Sequence, residues 1–264
     1  MCPLEADAEA DFSDYTSVRH PLIQATDVVE EYEGLEALGF LDTGKWDNNL
    51  EPSVTEQSEY GALLQSLQRE NAYEKARASI VQINMGAYYG SGVIWDLQDE
   101  NIILVSNAHL LQNGEKGLVT FGNGVSVEAT VMGVSDTLDI GFVEVPLSSL
   151  TREDWLLLRF ADKDEGNYQS LLPGDEIFVI GSSTGTGQDY YEGTIGNVAY
   201  YFPEFGTNML YGYCEALPGM SGGGTFDKYG HFIGMVTAGT ENGEIASLPL
   251  ETILEEYEKV LKYP

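Results

Sequence analysis

The sequence predicts an all-β fold flanked by helices, and three observations carry that reading. Short runs rich in β-branched and aromatic residues recur after residue 77. Gly, Asn, Asp or Pro often separates them. Glycine (30) and tyrosine (16) are abundant in a chain of 264 residues. Many short strands joined by tight turns build a β-sandwich or barrels.

The elements follow in order. Residues 1–20 are acidic and poor in large aliphatics, as in a tail. Leu22, Ile23, Val28, Val29, Leu35, Leu38 and Phe40 predict one or two short helices over 21–41, ended near Gly39. Gly44, Asn48, Asn49 and Pro52 mark a loop. Residues 58–76 read as an amphipathic helix capped by Ser58, with Leu63, Leu64, Leu67 and Tyr73 on its apolar face. The chain thus divides into an N-terminal extension, 1–76, and a β-rich domain, 77–264. Strands are predicted over Ser79–Asn84, Ser91–Asp96, Asn101–Ser106, Gly117–Phe121, Val125–Val131 and Gly141–Val145. Five more are predicted over Glu176–Ile180, Gly193–Tyr201, Asn208–Tyr213, Phe232–Thr237 and Ile245–Leu248. A closing helix places Ile253, Leu254, Tyr257, Val260 and Leu261 on one face.

Charge narrows the function. The 43 Asp and Glu outweigh the 12 Lys and Arg, for a formal net charge of −31. Such a surface repels nucleic acid and anionic lipid, and attracts cationic peptides if it attracts anything. No apolar stretch approaches the ~20 residues of a membrane span. The two cysteines, Cys2 and Cys214, form no disulfide framework and no metal-ligand spacing, so neither metal nor other cofactor is expected. "MCPLEADAEADF" has no basic n-region and no apolar h-region. A lipid anchor at Cys2 is the alternative, although no lipobox precedes it. "GSSTGTG" (181–187) lacks the lysine of a phosphate loop and reads as a hairpin loop. "DEGNY" has no calcium-loop spacing.

Of three histidines, His20 and His231 carry no motif, and His231 in "KYGHFIG" reads as a turn residue. His109 ends "ILVSNAH", immediately after an apolar strand. Asp139 lies in "SDTLDIGFVEV" where a strand begins. Ser221 lies in "LPGMSGGGTF" among glycines. Each alone has a structural reading as strand-end histidine, turn aspartate or turn serine. Their order along the chain, His then Asp then Ser, is one of the known orders of a nucleophile–base–orienter triad.

With these residues in place, 77–262 resembles the trypsin-like serine peptidases, and most of all their bacterial HtrA/DegP-type branch. "GSGVIWDLQDENIILVSNAHLL" (90–111) is similar to that family's GSG-strand-turn-strand-TNAHV segment. "SDTLDIGFVEV" resembles D-x-x-x-D-L/I-A-V, and "LLPGDEIFVIGSSTGTGQ" resembles G-D-x-V-x-x-I-G-x-P-x-G. "PGMSGGGTFDKYGHFIGMVTA" (218–238) resembles the nucleophile loop and the strand after it. The departures are Ser106 for the usual Thr, Asp136 one residue closer to Asp139, Gly141 for Ala, and Gly224 for the proline after S-G-G. Gly224 is expected to loosen the loop.

The resemblance implies two six-stranded antiparallel β-barrels and a serine endopeptidase acting on polypeptides through an acyl-enzyme. It implies Ser221 as nucleophile, His109 as base, Asp139 as its orienter, and the backbone N–H groups of Gly219 and Ser221 as oxyanion donors. Thr237, Ala238 and Gly239 would pair with an extended substrate, with Tyr213 and Glu215 near the S1 pocket. Glu215 either favours Arg or Lys at P1 or points to solvent. Met220 cannot form the ion pair with a new N-terminus that activates zymogens. The resemblance also implies an extracytoplasmic protein, secreted or in a bacterial cell envelope. A protease domain without the PDZ domain of HtrA proteins is the expectation. A catalytically latent module that binds a peptide or protein partner is the competing reading.

Overall fold

The computed structural model describes residues 68–183 and 188–262. The helices predicted over 21–41, the first part of the one over 58–76, His20 and Cys2 lie outside these residues. Helix α1 runs through 68–77. The first barrel is built from β1 (Ile80–Met85), β2 (Tyr88–Gln98), β3 (Asn101–Ser106), β4 (Lys116–Thr120), β5 (Ser126–Val134) and β6 (Gly141–Pro146). A four-residue helix, α2 (Ala108–Leu111), follows β3. Two short helices, α3 (Arg152–Leu156) and α4 (Glu165–Gln169), lie in the connection between barrels. The second barrel comprises β7 (Glu176–Gly181), β8 (Asp189–Phe202), β9 (Thr207–Tyr213), β10 (Gly224–Asp227), β11 (Phe232–Thr240) and β12 (Glu244–Pro249), and helix α5 (Leu250–Lys262) follows.

Each barrel is closed and antiparallel. The first runs β1-β2-β3-β6-β5-β4, and the second repeats that order as β7-β8-β9-β12-β11-β10. This duplication is invisible in the sequence, which has no fixed period. The predicted strands are present to within a few residues at their ends. One strand was missing from the prediction: β10, four residues long, was read as part of the loop around Ser221.

Alternation along the strands divides the core into three. In β2, Ile94 enters the interior of the first barrel, whereas Val93 and Trp95 face the second. In β3, Ile102 and Leu104 point inward while Ile103 and Val105 face across. In β7, Ile177 and Val179 fill the second barrel while Phe178 and Ile180 face the first. Period-two side-chain direction thus gives each barrel its own core and leaves an apolar face for a shared third one. At the centre of that shared core, Trp95 meets Phe232 edge-on at 5.7 Å and Tyr257 at 6.3 Å.

Two segments fasten the barrels. In the inter-barrel connection, Ala161 N–H donates to Ile94 C=O (2.8 Å), and Asp162 C=O accepts from Phe232 N–H (2.8 Å). Helix α5 starts at the end of β12 with Leu250 and Ile253 buried. It continues to Tyr257, whose ring lies 5.2 Å from Phe142 and whose hydroxyl donates to Asp96 (3.1 Å). Helix α1 packs on the second barrel through Ala72 and Ala76. Gly230 allows this approach, because a Cβ there would stand 2.7 Å from the Ala72 carbonyl oxygen.

Trp95 is fully buried and spans the shared core. Trp95→Ala is expected to lower unfolding stability by about 3–5 kcal/mol, the range for truncating a buried aromatic. Urea denaturation of the two proteins measures it, and a loss below ~1 kcal/mol would show that the barrels do not depend on this contact.

Candidate active site

The site lies where loops of both barrels meet. His109 is carried by α2, directly after β3. Its helix is only one turn, so its orientation comes from side-chain bonds rather than from helix length. Asp139 lies in the β5–β6 loop, where the Ser135 hydroxyl accepts from the Leu138 N–H (3.3 Å) and Ser135 N–H donates to Ile140 C=O (2.8 Å). Asp139 Oδ1 accepts from the His109 backbone N–H (2.9 Å), and Oδ2 pairs with His109 Nδ1 (2.7 Å). With its proton on Nδ1, the neutral imidazole keeps Nε2 free to accept another. The imidazole is 54% exposed and the carboxylate 21%, so Nε2 is open to a ligand while the orienting group is shielded.

Asn107 was not assigned from sequence. It is fully buried, and its amide donates to Asp139 C=O (3.0 Å) and to Thr237 Oγ1 (3.4 Å). It therefore ties the aspartate loop to β11. Its Oδ1 is buried without a partner among the described residues.

Ser221 occupies the β9–β10 loop. Its carbonyl accepts from Ser91 N–H (2.8 Å). A Cβ on neighbouring Gly90 would stand 3.2 Å from that carbonyl oxygen and 2.8 Å from Leu110 Cδ2, so Ser221 and the residue after His109 flank the same glycine. Among the described residues Ser221 Oγ makes no hydrogen bond, and apo sites of this kind are often loose before substrate binds. Gly222 has φ +86°, and a Cβ there would lie 2.1 Å from the Ser91 carbonyl oxygen. Only glycine fits. Gly224 does not loosen the loop as expected: it is buried, and a Cβ would meet the Phe226 ring at 2.3 Å. Met220 is fully buried among apolar residues of the second barrel.

The loop begins with a turn that occurs twice in this chain. In Leu217-Pro218-Gly219-Met220, Met220 N–H donates to Leu217 C=O (3.0 Å) and Gly219 has φ +91°. In Leu172-Pro173-Gly174-Asp175, Asp175 N–H donates to Leu172 C=O (3.1 Å) and Gly174 has φ +94°. Pro second and Gly third with positive φ make both type II turns. They differ in one respect. Gly174 N–H donates to Ile195 C=O (2.7 Å), whereas neither Gly219 N–H nor Ser221 N–H has an acceptor among the described residues.

The remaining predicted residues lie beside this loop. Thr237, Ala238 and Gly239 extend β11 beyond its pairing with β10, which ends at Met235. Ala238 and Gly239 pair with β12 on one side only. Tyr213 and Glu215 are exposed, and Glu215 Cγ lies beside the hairpin tip, 3.8 Å from where a Cβ on Gly243 would be. Gly239 packs on Ala216, and a Cβ at 239 would come within 3.1 Å of the Ala216 methyl. Tyr89, also unassigned from sequence, places its ring 3.0 Å from the Cβ position of Gly219.

A family model described as the trypsin-like peptidase domain matches residues 90–235. The chain belongs to this family. A serine protease HtrA-like of Staphylococcus aureus (strain MRSA252) is 24% identical over 253 residues, covering 91% of this chain and 30% of its own length. Its counterpart in strain USA300 is 26% identical over 186 residues, or 66% of this chain and 23% of that protein. This peptidase domain thus spans less than a third of the relatives it matches. Among solved structures, the HtrA-type protease AlgW with a tripeptide has a TM-score of 0.64 at 21% identity, covering 74% of this chain and 64% of that one. A variant of it with a decapeptide gives 0.62 at 18%, covering 74% and 67%. These likenesses show the fold.

Cys214 adjoins Glu215 but faces the interior of the second barrel. Burial, reinforced by Glu215, pushes its thiol up to about 12. A thiol reagent attacks the thiolate, and a free cysteine titrates near ~8.5. Iodoacetamide at pH 8 is therefore expected to leave Cys214 unmodified in the folded protein and to alkylate it in urea, as read by peptide mass spectrometry. Equal labelling in both states would contradict this placement.

Proposed function

We propose that this domain is a serine endopeptidase. The observation that carries the reading is the repeated Leu-Pro-Gly turn. Where the turn is structural, its glycine N–H is satisfied. At 217–221 the same turn leaves the N–H groups of Gly219 and Ser221, one residue either side of a buried Met220, without acceptors among the described residues. Two such donors beside a hydroxyl fit an anion that forms transiently.

In this reading the Ser221 hydroxyl gives its proton to His109 Nε2 as Oγ bonds to the peptide carbonyl carbon. The carbonyl oxygen becomes an oxyanion and accepts from Gly219 and Ser221 N–H. Asp139 stabilises the imidazolium through Nδ1. The C–N bond then breaks, and the amine leaves with the proton from Nε2. Water repeats the sequence on the acyl-enzyme and releases the acid and the free serine. Each well-placed oxyanion donor contributes on the order of 3 kcal/mol to the transition state. The unpaired edge of β11 at Thr237–Gly239 takes the substrate as an extended strand. The tripeptide and decapeptide held by the related AlgW structures fit an occupant of this kind.

One observation favours the latent peptide-binding alternative: Ala216 packs against Gly239, 3.1 Å from where a Cβ at 239 would stand, which narrows the slot for a P1 side chain between them.

A fluorophosphonate probe separates the readings. Labelling at Ser221, located by mass spectrometry and lost in His109→Ala, is expected. Absence of label over pH 7–9 would favour the latent module. The P1 reading has its own test. Because Glu215 is solvent-exposed, a P1-varied peptide library is expected to give the same preference in wild type and Glu215→Ala. A Lys/Arg preference that disappears in the variant would restore the electrostatic reading.

A further inference from the structure

We propose that Ser91 is a positioning residue that holds the two oxyanion donors in place from the opposite barrel. The inference rests on the peptidase reading and extends it to a residue outside the triad. Ser91 lies in β2 of the first barrel and is fully buried. Every polar group it has is engaged with the site or its support. Its N–H donates to Ser221 C=O (2.8 Å), and its hydroxyl donates to Gly219 C=O (2.8 Å). The same Oγ accepts from Ser182 N–H (2.8 Å), and its C=O accepts from the Ser106 hydroxyl (2.7 Å).

The pairing is specific. Within 217–223, Gly219 and Ser221 are the residues whose N–H groups lack acceptors among the described residues, and Ser91 holds the carbonyl of each. A carbonyl fixed at residue n sets the plane of the following peptide, so both residues are anchored while their N–H groups stay unpaired. Ser182 belongs to the same clamp. Its carbonyl and that of Ser183 lie 2.9 and 2.7 Å from the Cβ position of Gly219, which leaves the backbone there little room to swing. The hydroxyl is needed because it donates to one barrel-two segment and accepts from another at once, which alanine cannot do. The triad is divided between barrels, with His109 and Asp139 on the first and Ser221 on the second. Ser91 therefore fixes the donors relative to the base as well as to each other.

The test compares Ser91→Ala with wild type in the full chain, with Ser79→Ala as a control that removes another buried serine bond, to Ala76 C=O (2.7 Å). For Ser91→Ala, kcat on a peptide substrate is expected to fall on the order of 10- to 100-fold with KM within about threefold, since only the transition state uses the donors. Affinity for a peptide boronate should fall by a similar factor. Ser79→Ala should lower Tm without that kcat loss. A kcat for Ser91→Ala within twofold of wild type, or a loss matched by Ser79→Ala, would overturn the proposal. Ser91→Cys keeps the shape with a weaker donor and serves if the alanine variant does not fold; an intermediate kcat is expected, and a wild-type value would count against the role. A crystal structure of the variant decides the point even if the wild-type protein proves latent. Loss of the positive φ at Gly219 is expected, and an unchanged turn overturns the proposal. A wild type that neither cleaves nor takes the fluorophosphonate counts against the peptidase reading alone.

Discussion

The two barrels can hold a divided site because the surface between them is largely apolar. Neither barrel needs the other to fill its own interior, since each has a separate core. What joins them is the second face of the same strands: Val93 and Trp95 in β2, Ile103 and Val105 in β3, Phe178 and Ile180 in β7, with Phe226 and Phe232 completing the layer. Aromatic packing of this kind is directional, with edge-on pairs around Trp95 and a stacked pair, Phe178 and Phe226, at 5.4 Å. It fixes an angle as well as a distance. His109 follows β3, Ser221 precedes the strand of Phe226, and Asp139 adjoins Ile140 and Phe142 of the same layer, so their mutual placement derives from it.

Much of the fold was legible because period-two patterning and turn residues are local signals. Asn101–Ser106 coincides with β3, and most other strands differ only at their ends. Beta-10 escaped because it is four residues long and begins with Gly224, whose surroundings read as loop. The duplicated topology escaped because the repeat survives in strand order rather than in residue identity. At the candidate site, the positions of His109 and Asp139 at strand ends and of Ser221 in a glycine loop were legible, and the structure pairs the first two. Ser91 and Asn107 were not, although both sit inside quoted motifs. A buried serine or asparagine is indistinguishable in sequence from a solvated one; its partners lie far along the chain, 128 residues away in the case of Ser91 and Gly219. Gly224 shows the same limit from the other side. As a departure from the family pattern it implied looseness, whereas Phe226 occupies the space a side chain would need.

The paired turns show how little separates scaffold from site. Proline sets the second position and glycine permits the third at both places, so local conformation is the same. The difference is tertiary: β8 supplies Ile195 C=O to one turn, and no described residue supplies an acceptor to the other. Gly219 and Ser221 are partly exposed, so their donors face the open side of the loop while the buried Ser91 hydroxyl bonds the Gly219 carbonyl from the other side. The chain's net charge of −31 adds a wider negative field, independent of the exposed Glu215.

Helix α5 has a consequence in time. It leaves β12 on the second barrel and reaches Phe142, Asp96 and the neighbourhood of Gly133 on the first, so it straps both barrels over their shared layer. The ribosome makes it after all twelve strands. Each barrel closes through contacts within its own span of chain, but the strap that seals them together arrives only with residues 250–262. A nascent chain therefore carries both barrels and the layer between them before this last fastening is available.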